Sequence, residues 1–241
     1  MKIPWIVYAG AGSHALPLLV AAARRAALGP ARTWVLVWCG FLVAMSGLSL
    51  FLALKGLNNH WLHYVVTPIA AGLVLWALAW WQPAPWPRLA IRLLIPLICL
   101  AWLPIVLLIE DTQTFSQLGE PFVGLVIMSA AIYTLVARAL RETQSVSSQD
   151  WFWIAVGIAI YHGVVVALQP ASLKLLGRHP HLVVRALQVK ALVEILAFLA
   201  ISWGIVRPGS LLRSGGRRPA GRLGSSGTSP RPSSPLPRSW E

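Results

Sequence analysis

Seven long apolar runs, each ended by a polar or basic break, constrain this chain more than any motif in it. They cover about residues 3–23, 33–54, 60–81, 89–109, 121–140, 151–169 and 182–206. Crossing a hydrocarbon core takes about 20 helical residues, and each run comes close to that length. A spanning segment must satisfy its own backbone hydrogen bonds, which favours a helix. Outer-membrane strands would alternate apolar and polar residues, and these runs do not. The charged fraction of 11% is roughly half of what soluble domains carry, so a soluble core is excluded as well. The expected fold is all-α: a polytopic membrane bundle of seven transmembrane helices in one domain, residues 1–206, followed by a tail, 207–241.

The first run invites a second reading. Lys2 precedes it and small residues follow, as in a signal peptide. The apolar stretch continues past any cleavage site and stops at Arg24-Arg25, which favours a retained helix.

A net charge of +13 could indicate nucleic acid, but the basic residues are placed otherwise. Most stand at the ends of apolar runs, and seven of the 20 follow Ile205. When alternate ends are compared, 14 fall on one side of the bundle, among them Arg24, Arg25, Arg138, Arg141, Arg217 and Arg218. The richer side of such a protein faces the cytoplasm. This predicts a bacterial inner-membrane protein with its N-terminus outside and its C-terminus inside. The tail is rich in Gly, Ser, Pro and Arg and has too little apolar surface to fold alone, so disorder is expected. Its charges suit anionic lipid, each contributing about 1 kcal/mol near the surface, or they only fix topology. Trp5, Trp34, Trp61, Trp80, Trp81, Trp86, Trp151 and Trp153 fall at run ends and are expected in the headgroup zone. Cys39 and Cys99 lie inside apolar runs and read as packing residues, neither a disulfide nor a redox pair.

Ionisable groups inside a membrane are costly unless they are paired or line a wet cavity, so they mark candidate sites. The stretch Asn58-Asn59-His60-Trp61-Leu62-His63-Tyr64-Val65-Val66-Thr67-Pro68 is the densest polar and aromatic cluster in the chain. His60, His63 and Thr67 form one helical stripe flanked by Trp61 and Tyr64. It reads either as one wall of an outward-facing pocket or as an interfacial cap, the cap being favoured for His60. His14 lies near the middle of the first helix and His162 in the outer part of the sixth. Lys190 and Glu194, four residues apart on the seventh, can pair, either structurally or as ligand contacts. Arg185 belongs on another face of that helix. The candidate ligand-binding residues are therefore His14, His63, Tyr64, Thr67, His162, Lys190 and Glu194.

No catalytic residue is assigned. Zinc-hydrolase H-E-x-x-H and nucleophile-elbow G-x-S-x-G motifs are absent, and no metal site is read. Haem b held by His14 with His162 or His63 has no supporting spacing. Lys190 in a seventh helix is similar to the lysine of retinal-binding microbial rhodopsins. The third helix, however, has no acid, and Ala186 stands where that family has one. No cofactor is expected.

Two further runs carry a resemblance. Asn59, Trp61, Tyr64, Thr67, Pro68 and Ile69 open the third helix, and Phe152, Trp153, Ile154, Gly157, Ile160 and Tyr161 open the sixth. With the polar-studded seventh helix, the chain resembles a group of uncharacterised bacterial seven-helix membrane proteins. The likeness covers all seven helices and not the tail. Those proteins usually continue the third helix with Ile-Glu-Tyr, where this chain has Ile69-Ala70-Ala71. The resemblance implies no activity. Its members look like companions of sensor kinases, which implies sensing by analogy. The expected function is a non-enzymatic sensory or accessory receptor whose partner is a signalling membrane protein. A membrane enzyme, cofactor-binding protein or carrier using the same cavity is the alternative.

Overall fold

A computed structural model describes residues 4–24, 28–110, 116–176 and 180–207, with 171–176 and 180 as backbone only. Arg25, Arg217, Arg218 and the tail beyond Arg207 lie outside the described residues. The described residues are helical and contain no strand. Eight α-helices follow one another: α1 (Trp5–Ser13), α2 (Leu16–Arg24), α3 (Pro30–Leu54), α4 (His60–Trp80), α5 (Pro85–Pro104), α6 (Gly119–Ala139), α7 (Asp150–Leu176) and α8 (Pro180–Val206). Six of them, α3 to α8, are long and apolar enough to cross a membrane, so this is a helical membrane protein.

The helices close into a ring in the order α3, α4, α6, α7, α8 and back through α1 and α2, with α5 packed outside against α4. The first run is not one straight helix. α1 and α2 meet at a 46° bend. Pro17 has no N–H for the Ser13 carbonyl, and its ring crowds that carbonyl. The chain tightens there instead, with Ala15 N donating to Gly12 O at 3.1 Å before α2 resumes. His14 therefore sits at a break, not within a continuous helix.

Local chemistry sets the remaining ends. α3 starts with proline at its first position, where a missing N–H costs nothing. It ends at Gly56, whose φ of 69° suits glycine. Gly56 N donates to Ala53 O and Leu57 N to Leu52 O, both at 3.0 Å, which is a Schellman closure. Asn58 Oδ1 accepts from His60 N at 2.9 Å to open α4. Before α6, Glu110 accepts from the N–H groups of Gln117 and Leu118 at 2.6 Å and of Gly119 at 3.2 Å. A carboxylate at a helix N-terminus is well placed to meet these otherwise orphaned donors.

Pro68 lies inside α4, so the Tyr64 carbonyl has lost its helical donor. The Trp102 indole of α5 replaces it, donating to Tyr64 O at 3.0 Å. The same two residues pack ring on ring, with centroids 6.2 Å apart. Replacing Trp102 with Phe keeps most of the packing and orphans a buried carbonyl. A loss of about 1–3 kcal/mol is expected, seen as a lower melting temperature of the detergent-solubilised protein.

Towards the end of the bundle where α2, α4, α6 and α8 finish, the core is fully buried Val35, Ile154, Ile158, Ile201 and Ile205. Arginines hold helix ends there. Arg32 Nε stands 3.6 Å from Asp150 Oδ2, with both side chains buried. Arg32 Nη1 also donates to the carbonyls of Ile205 at 3.3 Å and Arg207 at 2.9 Å. Arg138 Nη1 donates to Trp81 O at 3.2 Å and stacks its guanidinium on the Trp151 ring. Trp81 and Trp151 are thus buried between helices, at 4% and 0% exposure, and do not face outward. Trp5, Trp61 and Trp86 do face outward. Cys99 also faces outward, so only Cys39 is a packing residue; both are free thiols.

Candidate functional site

Lys190 and Glu194 share one face of α8, one turn apart, with Nζ and Oε1 3.4 Å from each other. The glutamate is buried because α1 comes in close. A Cβ on Gly10 would stand 2.9 Å from Ala191 Cβ and 3.0 Å from Glu194 Oε2. Only a residue without a side chain allows that approach.

His14, four residues further along α1, is placed by the same contact. Its ring packs on Phe198 of α8 with centroids 4.5 Å apart and meets Tyr161 of α7 edge-on at 6.0 Å. His162 stacks on Trp38 of α3, whose indole also stacks on Phe198. One aromatic cluster from α1, α3, α7 and α8 therefore holds both imidazoles. His14 is 6% exposed and His162 9%. Both ring nitrogens of His14 and Nε2 of His162 make no hydrogen bond among the described residues.

On α4, Asn59, His63 and Thr67 recur every four residues and form one stripe. Asn59 Nδ2 ties this wall to α3 through the Ser49 hydroxyl at 2.7 Å and the Ser49 carbonyl at 3.0 Å. Across from it, Glu120 in the first turn of α6 accepts from the Gln169 amide of α7, which also donates to Ser116 O at 3.3 Å.

These walls enclose a cavity of about 650 Å³. A volume of that size suits a small organic molecule. His14, His63, Thr67, His162, Lys190 and Glu194 all line it. Tyr64 does not: it is buried with its ring against Trp102 of α5, on the far side of α4. His60 is not part of the lining, and Arg185 is exposed on another face of α8. No group of three or more His, Cys, Asp or Glu stands close enough to hold a metal ion among the described residues.

Sequence reasoning missed Glu120, Trp38 and Tyr161 in the lining and the Arg32–Asp150 pair at the opposite end. A signal existed for the acids. The chain has only seven Asp and Glu, so each one that borders an apolar run, as Glu120 and Asp150 do, was worth asking for a partner. No family, curated protein or solved structure matches the chain.

Proposed function

We propose that this chain is a receptor-type sensory or accessory module of the bacterial inner membrane, with seven spans, its N-terminus outside and its C-terminus in the cytoplasm. In this reading α1 and α2 together form the first, bent span. The arginine-bearing ends, with Arg24, Arg32, Arg88, Arg138, Arg141 and Arg207, then meet the cytoplasmic leaflet. Arg25, Arg217 and Arg218 add to its attraction for anionic lipid. The cavity lies in the extracytoplasmic half.

One observation carries the reading: ionisable and polar side chains from α4, α6, α7, α8 and the break after α1 face a single cavity large enough for a small ligand. Among them are His14, His63, Thr67, Glu120, His162, Lys190 and Glu194. Buried imidazole nitrogens without partners are costly, and a polar ligand would satisfy them. Beyond Trp38 at the cavity's deeper end, Phe198, Ile158 and Ile201 are fully buried and form an apolar floor. That arrangement favours reception over transport. α8 supplies a physical route for the signal. Its Lys190–Glu194 pair faces the cavity, and its last carbonyls are held by Arg32, which pairs with Asp150 at the start of α7. A ligand that binds one arrangement of α8 better than another shifts the population at the cytoplasmic end, where a signalling membrane protein reads it.

A ligand screen by thermal shift in detergent tests the proposal, since a ligand at 100 times its Kd stabilises by about 2.7 kcal/mol. His63→Ala and Glu194→Ala are each expected to weaken the response at least tenfold. An unchanged response in both variants ends the receptor reading.

A further inference from the structure

The charges facing the cavity do not balance. Lys190 and Glu194 are one cation and one anion at 3.4 Å. Glu120, on the opposite wall, has no salt-bridge partner among the described residues; its carboxylate accepts from the neutral Gln169 amide and interacts with Lys190 only from beyond ion-pair distance. Among the described residues no arginine and no second lysine line the space. The described lining therefore sets two carboxylates, Glu120 and Glu194, against one ammonium, Lys190. The cavity's deeper end is closed by the Trp38 and Tyr161 rings, with Trp38 fully buried. The wall between is apolar, with Leu42, Val123 and Ile127. His14 adds the last element. It is more than nine-tenths buried, lines the cavity and has both ring nitrogens unpartnered. A neutral imidazole offers one donor and one acceptor, and an ammonium N–H suits the acceptor.

From this arrangement we infer that the cavity binds a small organic cation, an ammonium group on an apolar body. The inference rests on the receptor reading above and specifies its ligand. The ammonium is held by Glu120 and the acceptor side of the imidazoles, and the apolar body packs on α3 and α6. Lys190 stays with Glu194, so Glu120 is the one carboxylate left for a ligand, which limits the site to one cation.

Three probes of nearly equal shape separate the possibilities: 2-phenylethylammonium, the uncharged 2-phenylethanol and the anion 3-phenylpropanoate. Titrated calorimetrically into the purified full chain in detergent, the ammonium should bind at least tenfold more tightly than the alcohol. Glu120→Gln should remove that preference and Glu120→Asp should keep most of it, with both variants melting like the parent in the absence of probe. A preference for the ammonium that survives Glu120→Gln overturns the assignment to this carboxylate. Equal or tighter binding of the alcohol or the anion, weakened by His63→Ala, overturns the cation but leaves the cavity a ligand site. Failure of all three probes to bind overturns the cation, and the receptor reading then stands or falls on the ligand screen with His63→Ala and Glu194→Ala.

Discussion

Asp150→Ala is expected to destabilise the solubilised protein by about 3–5 kcal/mol, because it leaves the Arg32 guanidinium charged, buried and short of its counterion. Arg32 keeps its two carbonyl acceptors on α8 in that variant. The remaining cost is the uncompensated charge, together with the loss of the bond from Trp151 N to Asp150 Oδ1 that starts α7. Removing both partners, as in Arg32→Met with Asp150→Ala, takes the charge away with its counterion. The double variant should therefore be less destabilised than the two single effects added together. Thermal melting of the four proteins gives the coupling directly. An additive cycle would mean that the pair is solvated and that the end of α8 is not gripped as the 3.6 Å separation indicates.

This pair also fixes what the α8 route requires. Three helices meet at Arg32: α3, which carries it, α7, which begins with its counterion, and α8, whose final carbonyls it caps. The same three helices bring Trp38, Tyr161, His162 and Glu194 to the cavity. In the proposed receptor, a ligand-induced shift of α8 against α7 at the cavity would strain the Arg32 contacts at the other end, since close-packed interiors transmit strain.

The spans were legible because a membrane core demands long, unbroken apolar runs, and the polar breaks between them fall where the helices end. The run read as 60–81 is α4, His60–Trp80, and that read as 182–206 is α8, Pro180–Val206. The bend at His14 was only half legible. Pro17 signals a kink, but the sequence does not say that the helix breaks three residues earlier. The cavity residues were legible through cost: an imidazole or amine inside a run has few tolerable surroundings. Tyr64 was misplaced because it follows His63 directly, about 100° round the helix, which turns it towards α5. Arg32 is one of the 14 basic residues on the richer side, and its buried counterion was not legible. An arginine at a run end looks the same in sequence whether it reaches headgroups or a buried carboxylate more than a hundred residues away.

Gly157→Ala should damage both fold and site. A Cβ at that position would stand 2.6 Å from the Ala197 carbonyl oxygen and 3.2 Å from Ile201 N, and backbone atoms cannot swing aside as a side-chain tip does. α7 and α8 touch backbone to backbone again at Gly204, where a Cβ would meet Asp150 O at 2.9 Å. Small residues allow such contact, and in lipid packing of this kind supplies much of the association. Overpacking of a tight contact costs about 1–3 kcal/mol, and the methyl group is expected to fall in that range. Gly40→Ala in α3, outside the cavity lining, is the control. Its Cβ would meet only the Leu18 Cδ1 side-chain tip at 4.0 Å, so its melting temperature should be unchanged or raised. Relieving the clash means parting α7 from α8, which separates His162 and Tyr161 from Lys190 and Glu194 across the cavity. Ligand affinity should then fall with stability in Gly157→Ala and remain intact in the control. A Gly157→Ala protein that melts like the parent would show that the two helices are not in backbone contact, and the cavity geometry they define would fall with that contact.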